Sequence, residues 1–352
     1  MSIIENLNNI QIPIDYLYKI NICYKYLGKN EIYNIQMKER LEELENNALC
    51  ENTLFLSNLF GLKITPDRKR LVIYKNSNIK NKQEEALLNT RNILIKINKE
   101  NEKDNRLTLN SSDILEYLQF SSDKKVKFNT SNYSIKGEKN TVRFFFNKVL
   151  DDMNNEFTIN KKENILLTAT TLIEMYVMEP YSEFNKEAIM LLVYYLLQKS
   201  HFTVIKYFNF FEEFEKKYPE FLKIVKRSIV NYEQENIFVF GVYEFLLDFI
   251  IEQYKKLDDE LSNYLIIKRS QKGDLIKNAI KYKLNNIFSK KELIDLFPNI
   301  SITTIERSLD EYKNQGLITP LNTGRSAKWQ KLEPLLEINE TIESIMNKNN
   351  IE

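Results

Sequence analysis

The 352 residues carry 43% hydrophobic and 28% charged side chains, a balance that excludes a disordered chain and supports a sizeable core. Seven glycines and seven prolines leave little turn material for an all-β or doubly wound fold, so the expected class is mainly α. A net charge of +1 excludes little as a total, whereas scattered glycines exclude a phosphate-cradling loop and the single histidine, His201, excludes a multi-histidine zinc site.

Two cysteines, Cys23 and Cys50, are too few for a disulfide framework and read as reduced thiols, which points to a cytoplasmic protein. MSIIENLNN has no basic flank, so no signal peptide is expected. The longest apolar run, residues 188–197, is too short for a bilayer, and 237–251 is interrupted by Glu244 and Asp248; no membrane contact is expected.

Residues 34–60 repeat apolar positions at helical spacing. TPDRKRLVIY (65–74) reads as a turn and a short strand, and 82–97 as an amphipathic helix before a polar linker. Residues 111–120 predict a short helix with a Ser/Asp cap, and 126–146, alternating around Gly137, predicts a hairpin. Helical period then dominates, over 147–157, 160–179, 184–200, 204–216, 219–231 and 234–260. The aromatic-rich stretch 206–221 reads as helix packing, His201 as a residue near a helix C-terminus, and Glu244, Asp248 and Glu252 as a solvated row.

Between Lys268 and Lys331 there are 13 Lys/Arg against 6 Asp/Glu, so the basic charge is concentrated there. Three helices are expected, the second capped by Ser289 and the third capped by Ser301 and closed by Gly316. Two strands around Asn322–Gly324 complete a winged helix-turn-helix. On the third helix Ile302, Ile305, Leu309 and Tyr312 are expected to pack inward. Ser301, Thr303, Thr304, Arg307 and Ser308 then offer a major-groove face, with Arg325 and Lys328 in the wing for phosphates. DNA is the partner this segment suggests, with protein docking as the other reading. A homodimer would present two recognition helices to a palindromic site.

MYVMEPYSEFNKEAIMLLVYYLL (175–197) places a polar turn between two apolar helices. Glu179-Pro180-Tyr181-Ser182-Glu183-Phe184-Asn185-Lys186-Glu187 resembles the signature of the Fic (Fido) family, His-Pro-Phe-x-x-Gly-Asn-Gly-Arg. Pro180, the aromatic Tyr181, Glu183 and Asn185 agree with it. LSNLFG (56–61) resembles the family's inhibitory helix, the predicted hairpin stands where the family keeps its target-docking flap, and the likeness spans roughly residues 50–330.

The resemblance implies a mainly α, Fic-like helical bundle with a small β-hairpin flap, followed by a C-terminal winged-helix domain. Its expected divisions are an N-terminal helical region (1–105), a Fic-like core (106–262), the winged helix (263–335) and an acidic tail (336–352). Members of the family usually transfer AMP from ATP to a protein hydroxyl. Here Glu179 replaces the base, Phe184 and Lys186 replace glycines, Glu187 replaces the phosphate-holding arginine, and Met190 stands where many members have a second arginine. Phe60 takes the place of the inhibitory glutamate.

The expectation is therefore a catalytically inactive, DNA-binding or scaffolding regulator with no metal site and no cofactor. The alternative is a diverged nucleotidyl or phosphoryl transferase with Glu179 as base and Glu183 as metal ligand; ATP and magnesium enter only there.

Overall fold

The computed structural model describes residues 7, 10–75, 77–101, 109–135, 138–159, 162–230, 238–269, 272–298, 300–322 and 327–332. The chain divides into two compact units, Met1–Asp258 and Asp259–Glu352. The mainly α class holds, with one small hairpin in the first unit.

The first unit is built on its two most apolar helices. Helices α7 (Asn164–Met178) and α8 (Asn185–Lys199) are buried almost all round, as expected of helices without a polar face. Before them come α1 (Ile14–Gln36), α2 (Lys38–Leu59), α3 (Pro66–Lys75), α4 (Lys82–Asn101), α5 (Ser111–Ser122) and α6 (Val142–Ile159). A 3-10 turn at Thr203–Lys206, then α9 (Phe210–Ser228) and α10 (Phe240–Arg269) follow. The aromatic stretch is core, as read: Phe210, Phe211, Phe214 and Phe221 of α9 are all buried.

Several elements differ from the sequence reading. Pro66–Lys75 forms helix α3, where residues 65–74 were expected to make a turn and a strand. Pro66 suits the first turn of a helix, and Lys69, Val72 and Ile73 are buried at helical, not alternating, spacing. Lys69 explains its own burial by donating to Ser57 Oγ at 2.8 Å and Asn58 Oδ1 at 2.5 Å, at the end of α2. Helix α9 runs unbroken through Pro219, although an interior proline costs about 3 kcal/mol. Buried Phe214 and Phe221, 5.5 Å apart between ring centroids, hold the turns on either side of it. The cap of α5 is Asn110, in a reciprocal capping box with Asp113. Helix α1 was not anticipated, and the hairpin is shorter than expected: β1 (Asn132–Ile135) pairs antiparallel with β2 (Glu138–Thr141), and Phe144–Phe146 already belong to α6.

The second unit contains α11 (Lys272–Tyr282), β3 (Ile287–Ser289), α12 (Lys290–Leu296), α13 (Ile302–Asn314), β4 (Ile318–Pro320) and β5 (Lys328–Lys331). Its antiparallel sheet has the order β3-β5-β4; β3 had not been expected. Ile276, Ile280, Phe288, Leu293, Ile305 and Leu309 meet in one core, with Trp329 packed against it. Ser289 and Ser301 cap α12 and α13 as read. Buried Lys331 donates to the carbonyls of Leu284, at 2.7 Å, and Lys281, at 3.4 Å, satisfying acceptors at the end of α11. No described helix is long and apolar enough to cross a membrane.

Candidate functional site

The turn between α7 and α8 changes direction through two left-handed residues. Glu179 (φ 43°) ends α7 and Phe184 (φ 63°) precedes α8, conformations that favour glycine and strain a side chain. The surroundings supply the compensation. Asn185 brackets Tyr181: its Oδ1 accepts the Tyr181 N–H at 3.0 Å and its Nδ2 donates to the Tyr181 carbonyl at 2.8 Å. The buried Tyr181 hydroxyl donates to the Ser111 carbonyl at 2.9 Å, and its ring lies between Phe128 and Phe146.

Residues 127–129 then run antiparallel to the turn. The Ser182 N–H reaches the Lys127 carbonyl at 2.8 Å, and the Asn129 N–H reaches that of Pro180 at 2.8 Å. The Asn129 amide also donates to the Glu179 carbonyl. Pro180, Tyr181 and Asn185 are thus the frame of this loop.

The charged positions lie around that frame. Glu179 and Glu183 are exposed, and Lys124 pairs with Glu183 at 2.8 Å while standing 4.9 Å from the Phe184 ring centre. Lys186 pairs with Glu215 at 2.5 Å and lies over the Tyr218 ring. Glu187 is half-buried in the first turn of α8; burial raises its carboxyl above the ordinary range, although its own backbone N–H opposes the shift. Burial, with Tyr176, Glu187, Glu215 and Glu179 nearby, pushes the Tyr218 hydroxyl up to about 12.

Phe60 meets this loop directly. Its ring packs edge-on against Phe184, with centroids 5.3 Å apart, and Met190 is fully buried in α8. The sequence singled out Phe60, Phe184 and Met190 separately; only the fold shows that the first two touch. The pairings of Lys124 and of Lys186 with Glu215 were not foreseen, because their partners lie 59 and 29 residues away.

Within the loop Phe184 presents a ring packed on Phe60, Lys186 is engaged by Glu215, and Glu187 contributes a half-buried carboxylate. Among the described residues no three His, Cys, Asp or Glu side chains converge as a metal site. His201 sits just beyond α8 in a left-handed conformation (φ 69°), at the helix end as read.

In the second unit, Ser301 caps α13 by accepting the Thr304 N–H at 3.2 Å, and Thr303 and Arg307 are exposed. Two expectations fail. Ser308 is buried, donating to the Thr304 carbonyl at 3.0 Å, because α13 turns that position inward with Ile305 and Leu309. Ile302, read as core, is exposed. Thr304 is half-buried and tied to Ser301. Arg307 lies 3.3 Å from Glu311, and Glu306 and Asp310 share the open face of α13. Lys328 is exposed on β5; Arg325 lies outside the described residues.

No family model and no curated protein matches the sequence. Solved structures do. A Fic family protein from Desulfovibrio desulfuricans G20 aligns with a TM-score of 0.48 and 10% identity, covering 92% of this chain and 97% of that one. A Fic domain-containing signaling protein from Bacteroides thetaiotaomicron VPI-5482 gives a TM-score of 0.48 and 16% identity, over 67% of this chain and 94% of that one. Fic-1 from C. elegans gives a TM-score of 0.43 and 12% identity, over 69% and 73% of the respective chains.

Proposed function

We propose that the first unit is a Fic-like body without AMP-transfer activity and that the second is a winged-helix module that binds DNA. The contact between Phe60 and Phe184 carries the first half of this reading. At the position where the resemblance implies an inhibitory glutamate facing phosphate-binding groups, two aromatic rings meet instead. An aromatic pair stabilises the contact between helix and loop and offers no acceptor or cation to a nucleotide. Glu187 adds electrostatic opposition to phosphate, and its half-burial strengthens that effect relative to an exposed carboxylate.

Calorimetric titration with ATP, in magnesium and then in manganese, is expected to show no binding at millimolar nucleotide. Saturable heat that Glu187→Ala alters would overturn this half of the reading.

The second half rests on the order of elements in the C-terminal unit, with α13 as the helix that enters the groove and β4–β5 as the wing. Exposed Thr303 and Arg307 supply the polar contacts, and Lys328 a phosphate contact. Asp310 on the same face, beside Glu306 that pairs with Lys290 at 2.7 Å, opposes non-specific attraction, so affinity is expected to depend strongly on sequence. In a selection from random duplexes, a specific site is expected, and Arg307→Ala should weaken binding to it by about 1–3 kcal/mol if Arg307 reads a base.

Exposed Ile302 and Leu296, together with those two acids, favour a second reading, in which this face docks a protein. Failure to select any duplex, or a selected duplex indifferent to Arg307, would leave that reading standing.

A further inference from the structure

Helix α1 is fastened to the rest of the first unit along one side, and Tyr24 reaches back to donate to Glu163 at 2.9 Å and to pack on Phe202. Tyr16 stacks on Phe240, Tyr26 stacks on Tyr254, and Lys19 pairs with Glu244 and Asp248, while Lys29 and Tyr33 both reach Asp258. Glu244 and Asp248, read from sequence as a solvated row, are therefore partners of this helix. The other side is open, with Ile14 77% exposed and Ile35 76% exposed at its two ends.

Exposure recurs along that side with heptad spacing, from Ile14 through Leu17, Tyr18 and Asn21 to Gly28, Ile32 and Ile35. The order is apolar at both ends and polar in the middle. Folding of the single chain gives no reason for Gly28: a β-carbon there would meet no atom within 4 Å. A glycine in a helix interior costs about 1 kcal/mol relative to alanine, and its usual return is close approach of another backbone.

We infer that this side of α1 is a self-association surface, and that its occupant is the same helix of a second copy running antiparallel. A two-fold axis between Tyr24 and Lys25 sets Ile14 against Ile35 and Leu17 against Ile32. It sets Asn21 against Gly28, where the missing side chain admits the amide. It also sets the Tyr18 hydroxyl against the Glu31 carboxylate. A parallel pairing would instead place Glu31 against Glu31, a repulsive arrangement. The surface belongs to the first unit alone, so the inference stands or falls independently of DNA binding and of the α7–α8 loop.

Sedimentation equilibrium of the full chain at tens of micromolar is expected to give twice the monomer mass. Ile14→Glu and Ile35→Lys, both at exposed positions, should fold with unchanged circular dichroism. Each alone should weaken self-association by at least about tenfold, because each antiparallel dimer contains the altered contact twice. An equimolar mixture of the two variants should recover it: one contact becomes a Glu–Lys pair and the other remains Ile–Ile. A monomeric wild type, a dimer indifferent to both substitutions, or a mixture no better than its components would each overturn the inference.

Discussion

Replacing Phe214 by alanine is expected to lower the unfolding free energy by about 3–5 kcal/mol. Phe214 is fully buried and stands at the centre of an aromatic cluster. Ring centroids of Phe210, Phe221, Phe245 and Phe249 lie 5.6, 5.5, 6.0 and 5.8 Å from its own. Phe245 and Phe249 meet it edge-on, the arrangement in which ring quadrupoles attract. Truncation removes both the transfer energy of the ring and the contacts of four neighbours. The neighbours come from both α9 and α10, so the cavity cannot close by a rotamer change in one helix alone. Phe214→Leu, which retains much of the volume, should lose clearly less. Urea unfolding followed by far-ultraviolet circular dichroism measures both. A loss below about 1.5 kcal/mol for alanine would mean that α9 and α10 are not packed as described.

That cluster was legible in the sequence because aromatic residues at helical spacing on one face of a segment have few uses other than burial. The α7–α8 pair was legible for the same reason: two long apolar runs separated by a polar turn. What failed was the reading of local elements whose reason lies elsewhere in the chain. Residues 71–74 look like a strand until Lys69 is seen to bury its ammonium among the side chains at the end of α2. Pro219 looks like a break until Phe214 and Phe221 are seen to be fixed on both sides of it.

The same limit applied to the sites. Sequence could name Phe184, Lys186 and Glu187 as departures from the Fic signature and Phe60 as one from the inhibitory helix, yet it could not show which departures touch. The contact between Phe60 and Phe184 joins residues 124 positions apart, and only the fold closes that distance. On α13 the errors were ones of phase. Ser308 and Ile302 exchanged their expected environments because small polar and large apolar residues at a helix edge are both tolerated in either place.

Asn185→Ala is expected to cost about 2–3 kcal/mol, since it leaves two backbone groups of the buried Tyr181 without partners. Asn185→Asp preserves the shape and the acceptor for the Tyr181 N–H but turns a lone pair toward the Tyr181 carbonyl. Its loss should be comparable, and that comparison separates a hydrogen-bonding role from simple space filling. By contrast, Glu179→Ala and Glu183→Ala, at exposed positions, should change stability by no more than about 0.5 kcal/mol. The same denaturation experiment reads all four variants. The contrast has a physical meaning for the loop. Of the positions that agree with the Fic signature, Pro180, Tyr181 and Asn185 hold the turn in place against α5 and residues 127–129, whereas Glu183 is exposed and pairs with Lys124. The positions that depart, Phe184, Lys186 and Glu187, are those the signature turns toward phosphate. On the function proposed above, such a loop keeps its frame while its ligand-facing residues change. Should Asn185→Ala prove neutral, the frame would need no such protection, and agreement at that position would have to be explained by a ligand instead.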